Sequence, residues 1–154
     1  MAPLIILITT FVLAALVNRY FFKNRFSLSQ IGRLALAFML IATGIAHFTK
    51  TSFMVEMMPA VIPFKTEVVY LTGILELIAS VGLITQKYSK LIGIMLIIFF
   101  MALLPANIVG SMKKVALGGM AKGVSYLYFR IPLQIFFILW TYYFAVRKNK
   151  TVLN

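Results

Sequence analysis

The sequence contains no cysteine, one histidine and only three acidic residues among 154 positions. Without cysteine the chain has no disulfide, no thiolate nucleophile and no cysteine-ligated metal. The single His47 also argues against a histidine-based metal site within one chain, so we predict no metal site. The lack of cysteine says nothing about the redox compartment.

Charge is also scarce: 12% of residues are charged and 62% are hydrophobic, against about 25% and about 45–50% in an ordinary soluble domain. A domain of this length keeps a large surface relative to its core. Part of the apolar surface must therefore face something other than water. We predict an all-α integral membrane protein of one domain.

Five apolar stretches have the roughly 20 residues that a membrane-spanning helix needs. Short turns at 24–29 and 86–89 predict antiparallel neighbours. Basic residues follow the first stretch instead of preceding it, which favours a retained helix over a signal peptide. The predicted spans are 3–22, 30–49, 67–85, 90–110 and 126–146.

The net charge of +12 comes from basic residues in short segments between the apolar runs. That pattern is typical of loops that meet lipid headgroups, so the predicted partner is the bilayer and not nucleic acid. Positive-inside counting favours an outside N-terminus and an inside C-terminus. The inside set would be Arg19, Lys23, Arg25, Lys87, Lys90, Arg147, Lys148 and Lys150, and the outside set Lys50, Lys65, Lys113, Lys114 and Lys122.

The two longest loops would lie on the outside face. The loop 50–66 is apolar, but Pro59 and Pro63 prevent a regular helix through it. We predict a short helix and a turn at the interface, or a loop folded back over the bundle as a lid that includes Glu56. The loop 111–125 contains three glycines and is expected to be irregular.

Polar residues inside the predicted spans gather toward that same face. His47, Asn107, Arg130 and Gln134 fall near span ends on this side, and Glu76 falls near the middle of the third span. Ionisable groups in a bilayer usually face the bundle interior. We therefore predict a polar pocket open toward this face and capped by the loop 50–66.

Each of these residues has a structural interpretation beside the functional one. Glu76 either pairs with Arg130 inside the bundle or serves a ligand or a proton. His47 either bonds a headgroup or carbonyl, or acts as a proton switch or ligand contact. Asn107 either repairs the helix near Pro105 or donates into the pocket.

Other positions are expected to serve packing. Gln134 has the character of a helix–helix hydrogen bond. Gly44 and Gly73 are small enough to let membrane helices approach closely. Arg33 lies at the opposite face, and we expect its side chain to snorkel toward the interface.

Four motifs occur in a familiar order: GIAHF with His47, GILELIASVGL with Glu76, PANI with Asn107, and RIPLQ with Arg130 and Gln134. In this order, over roughly 31–140, the chain resembles the DoxX/DoxX-like family of small bacterial membrane proteins. The resemblance implies a four-helix antiparallel transmembrane bundle in the cytoplasmic (inner) membrane. It would divide the chain into an additional N-terminal helix and turn (1–29), the core (30–146) and a basic tail (147–154).

The DoxX name comes from a subunit of a thiosulfate:quinone oxidoreductase, but a shared fold does not transfer a function. We predict an accessory or binding protein whose pocket takes a lipid- or quinone-like molecule or part of a partner protein. The alternatives are a membrane subunit of a quinone-linked oxidoreductase and a small transporter or channel. No intrinsic cofactor is expected, quinone is the candidate ligand, and a homo-oligomer or a redox partner protein is compatible with the sequence.

Overall fold

The computed structural model describes residues 2–85 and 87–147. Residues 148–154, which make up nearly all of the predicted basic tail, lie outside the described part, as does residue 86 of the second short turn. Within the described ranges the chain forms helices and turns without any strand. The all-α prediction is therefore confirmed.

Seven α-helices follow one another in the described residues. A 3₁₀ helix at Met120–Tyr126 leads into the last of them, and a π-helical turn at Tyr142–Val146 extends it. The α-helices are α1 (Ala2–Tyr20), α2 (Leu28–Thr49), α3 (Thr51–Met57), α4 (Lys65–Ile84), α5 (Ser89–Ala102), α6 (Leu104–Met112) and α7 (Leu127–Thr141).

Five of the described helical segments are long and apolar enough to cross a membrane, as predicted. They are α1, α2, α4, the combined α5–α6 segment Ser89–Met112, and the segment Met120–Val146. The first four begin and end within about two residues of the predicted bounds. The last begins at Met120 instead of 126, because the 3₁₀ helix extends it at its start.

Helix α2 lies at the centre of the fold and packs against α1, α4 and the end of the last segment. A capping box between Ser27 and Gln30 starts the helix by satisfying free backbone N–H groups. Further along, the indole Nε1 of Trp140 donates to the Gly32 carbonyl at 3.1 Å. These contacts attach the first turns of α2 to the C-terminal segment.

The turn between α1 and α2 is held by Asn18, which is buried. Its side chain donates to the Phe26 carbonyl at 2.9 Å and accepts from the Phe26 N–H at 3.0 Å. Within the turn, Lys23 and Asn24 adopt positive φ angles of 48° and 62°. The two Asn18 bonds close this turn, so α1 runs back along α2.

Helices α2 and α4 make their closest approach at two glycines. A Cβ atom on Gly73 would lie 2.7 Å from the His47 Cβ atom and 3.2 Å from the Gly44 carbonyl oxygen. A Cβ atom on Gly44 would lie 3.1 Å from the Gly73 carbonyl oxygen. Any larger side chain at Gly73 would therefore push His47 away from α4.

The two long loops pack against each other. Helix α3 and its following turns correspond to the predicted short helix and turn of the loop 50–66. Val115 and two residues of the 3₁₀ helix, Met120 and Tyr126, form a small second core with Met57 of α3. In addition, Lys113 Nζ donates to the Glu56 carbonyl at 3.1 Å. The expected irregular loop 111–125 is thus partly helical, because its apolar residues find a surface on α3.

Candidate functional site

A cavity of about 350 Å³ lies at the end of the bundle that carries the two long loops. Four of the five residues predicted for a polar pocket line it: His47 from α2, Glu76 from α4, Asn107 from α6 and Arg130 from α7. These four side chains come from four different helices. The fifth predicted residue, Gln134, is not part of the cavity wall.

His47 is buried, and its ring is oriented by α4. Its Nδ1 lies 2.9 Å from the Val69 carbonyl oxygen and 3.1 Å from the Thr72 hydroxyl oxygen. Because a carbonyl can only accept, Nδ1 carries the hydrogen and donates it to Val69. The other nitrogen, Nε2, then faces Glu76 Oε1 at 3.6 Å.

Glu76 is 4% exposed, and its second carboxylate oxygen, Oε2, has no hydrogen-bond partner. Glu76 Oε1 lies 3.6 Å from His47 Nε2, which is beyond hydrogen-bond distance. Glu76 is thus a buried carboxyl group with one oxygen beside the His47 ring and the other without a partner.

Arg130 lines the cavity as well, but it does not form the direct ion pair with Glu76 that is one of the two interpretations of Glu76 from the sequence. Among the described residues, the basic group that lies within 4.0 Å of a carboxylate is the His47 ring, which is beside Glu76. The close approach of α2 and α4 at Gly73 places His47 beside Glu76, whereas Arg130 enters from α7. Its Nε is buried without a hydrogen-bond partner.

Asn107 and Gln134 both act at the break between α5 and α6. Pro105 lies at the start of α6 and has no N–H to donate. The Asn107 side chain donates to the Leu103 carbonyl at 3.0 Å, and Gln134 Nε2 donates to the Phe100 carbonyl at 2.6 Å. Asn107 combines this local bond with a place in the cavity wall, whereas Gln134 links α7 to α5.

The rest of the wall is mainly apolar. The segment predicted as a lid contributes methionines, while the predicted lid residues Glu56, Pro59 and Pro63 are not in the wall. Sequence reasoning missed this contribution, although the clustered methionines of the loop were a usable signal. Further wall residues that it missed include Lys50, Met54, Met57, Met58, Thr72, Met120 and Tyr126.

Arg33 differs from its expected snorkelling position. It is 9% exposed and its Nη1 donates to the Ser89 hydroxyl at 2.6 Å. The reason is the face of α2 on which it lies. Arg33, Ala37, Leu40, Gly44 and His47 follow one another at intervals of four, three, four and three residues, which is the spacing of one helix face, and all five are buried. Arg33 therefore points into the bundle.

Within residues 2–85 and 87–147 no group of three or more potential metal-binding side chains occurs. The fold and the cavity define a helical protein whose five long apolar helices fit a multi-pass membrane protein. The chain belongs to the family described as a domain of unknown function, DUF8561, which matches residues 36–145. Neither a curated protein nor a solved structure matches the chain.

Proposed function

We propose that this protein binds the polar head of a lipid- or quinone-like amphipathic molecule in the cavity lined by His47, Glu76, Asn107 and Arg130. The observation that carries the proposal is that Glu76 and Arg130, each with a buried polar atom that lacks a hydrogen-bond partner, line the same mainly apolar cavity. Arg130 Nε and Glu76 Oε2 are both buried without partners. Buried polar groups without partners cost free energy, and a ligand that bonds these two side chains would offset part of that cost.

The chemistry of the wall describes the head of the ligand. Arg130 requires an acceptor, such as a quinone carbonyl or a phosphate oxygen. Glu76 requires a donor, such as a quinol hydroxyl or an ammonium group. A volume of about 350 Å³ is near the lower end for small-molecule sites, so it suits a head and the start of a tail.

The DoxX-like arrangement is part of the proposal. In it, α2, α4, α5–α6 and the last segment form a four-helix core in a bacterial inner membrane, with the N-terminus outside, and α1 is an addition. Two observations support it: the DUF8561 match begins at 36, after α1, and all four polar wall residues fall within that match.

Native mass spectrometry of the detergent-purified protein tests the binding. We expect a retained lipid or quinone, and titration with a short-tailed benzoquinone or with phosphatidylethanolamine distinguishes the two. Arg130→Met should weaken retention about tenfold, because a charge-assisted hydrogen bond contributes about 1.5–3 kcal/mol. Glu76→Gln should weaken it too.

Two variants serve as matched controls. Gln134→Leu changes a polar residue one turn further along α7, outside the cavity, and Glu67→Gln makes the same chemical change as Glu76→Gln at an exposed position on α4. Both should retain the ligand as the unmodified protein does. Equal retention in all four variants would contradict the proposed site.

A second candidate function is a membrane subunit of a quinone-linked oxidoreductase. The favouring observation is that His47 Nε2 and Glu76 Oε1 lie 3.6 Å apart at the cavity wall, and imidazole and carboxyl groups are the usual acid–base groups of enzymes. The test is quinone reduction by a purified complex that contains this chain. An activity that is equal with and without this chain would exclude the role.

A further inference from the structure

A second, larger cavity of about 540 Å³ lies at the opposite end of the bundle. Its walls come from α1, the α1–α2 turn, the first turns of α2 and the end of α4. Arg33 and His47 are 14 positions apart on α2, so about 21 Å of helix separates this cavity from the one described above. It is therefore a separate site.

One charged side chain in this cavity is buried and incompletely bonded. Arg33 is 9% exposed; Nη1 donates to Ser89, but Nε is buried without a hydrogen-bond partner. The polar neighbour Asn18 is already engaged, because both groups of its amide bond Phe26. Among the described residues no carboxylate lies within 4.0 Å of Arg33, so its charge has no ion-pair partner.

The other charged residues at this end of the bundle also favour an anionic ligand. The three acidic residues of the sequence, Glu56, Glu67 and Glu76, lie on α3 and α4 toward the other end or near mid-bundle. In the described part of the chain, the charged residues at the end that carries Arg33 are all basic. Its described basic residues are Arg19, Lys23, Arg25, Arg33, Lys87, Lys90 and Arg147.

The rim of the cavity is apolar and faces outward. Leu13 and Val17 on α1, Phe38 on α2 and Ile84 on α4 line it and are each more than a third exposed. On α1 the lining runs from Thr10 to Asn18, which is about 12 Å of helix. A molecule would enter this groove from the hydrocarbon side, not from water.

We propose that this groove binds one anionic phospholipid, with its phosphate on Arg33 and part of an acyl chain along α1 and α2. A buried guanidinium favours a phosphate because it offers several donors in a planar arrangement. The apolar rim selects a lipid over free phosphate. The site is independent of the ligand proposed for the His47 cavity.

Native mass spectrometry of the whole chain in detergent tests this site, with phosphatidylglycerol, phosphatidylethanolamine and inorganic phosphate added separately. We expect one phosphatidylglycerol bound about tenfold more tightly than phosphatidylethanolamine, and no retained phosphate. Arg33→Met should weaken phosphatidylglycerol binding about tenfold. Lys90→Met removes an equal charge from an exposed position at the same end and should change binding by about twofold.

A second variant keeps the proposal testable if Arg33→Met does not fold. Ala14→Phe leaves Arg33 in place but fills the groove, so it should also displace the lipid. Arg130→Met should leave this lipid bound, which separates the site from the one lined by His47. Equal binding of the two phospholipids, retention of phosphate alone, equal effects at Arg33 and Lys90, or unaltered binding in Ala14→Phe would each overturn the proposal.

Discussion

Substitution of Gly73 by alanine tests the link between helix packing and the cavity. The added Cβ atom would lie 2.7 Å from the Cβ atom of His47 and 3.2 Å from the Gly44 carbonyl oxygen. Neither atom is at the end of a flexible side chain, so α2 and α4 must move apart. Overpacking of this kind costs about 1–3 kcal/mol of the free energy of unfolding.

The chain offers a matched control on the same helix. A Cβ atom on Gly82 would lie 2.9 Å from Ile92 Cγ1, which belongs to a partly exposed side chain that can change rotamer. Gly82→Ala should therefore lower the free energy of unfolding by less than about 1 kcal/mol. The difference between the two variants therefore measures the clash of Gly73→Ala with atoms that cannot move by a rotamer change, because both variants add the same methyl group.

The assay is unfolding in mixed micelles by titration with sodium dodecyl sulfate, followed by the fluorescence of Trp140, the one tryptophan of the sequence. Gly73→Ala should also weaken retention of the cavity ligand, because His47 moves with α2. An unfolding free energy for Gly73→Ala equal to or above that of Gly82→Ala would refute the argument that the glycine contact positions His47.

Three further predictions concern single contacts. Gln134→Leu removes the bond to the Phe100 carbonyl and should lower the free energy of unfolding by about 1 kcal/mol in the same titration; an unchanged value would show that this bond contributes little. Asn18→Ala removes both bonds that close the α1–α2 turn, so trypsin should cleave within this basic turn faster, and an equal cleavage rate would contradict the role of Asn18. Phe11→Ala removes the ring that meets Trp140 edge-on at 5.0 Å, so the emission of Trp140 should shift; identical spectra would argue against packing of α1 on the last segment.

Much of the fold follows from local properties of the sequence. Length and hydropathy predict the five apolar spans, since a span is a run of apolar residues and needs no partner to be recognised. The positions of His47, Asn107 and Arg130 along their spans place them at one end of the bundle, and the structure brings them together with Glu76 in one cavity.

Contacts between side chains of different helices are harder to predict from the sequence. The interpretation of Glu76 as a partner of Arg130 follows from charge alone, but the close approach of α2 and α4 at their glycines gives Glu76 a nearer neighbour in His47. Arg33 was expected to snorkel, although its spacing to Ala37 was visible in the sequence and indicates the buried face.

The sequence by itself determined that the chain forms apolar helices with few charges, and that His47, Asn107 and Arg130 lie at the same end of the bundle, because depth in a helix depends on position along one segment. Only the tertiary structure decided which side chains meet and which remain unpaired, because rotation and separation of helices depend on packing between distant residues. The unpaired Arg33 Nε, Glu76 Oε2 and Arg130 Nε are therefore visible in the fold alone.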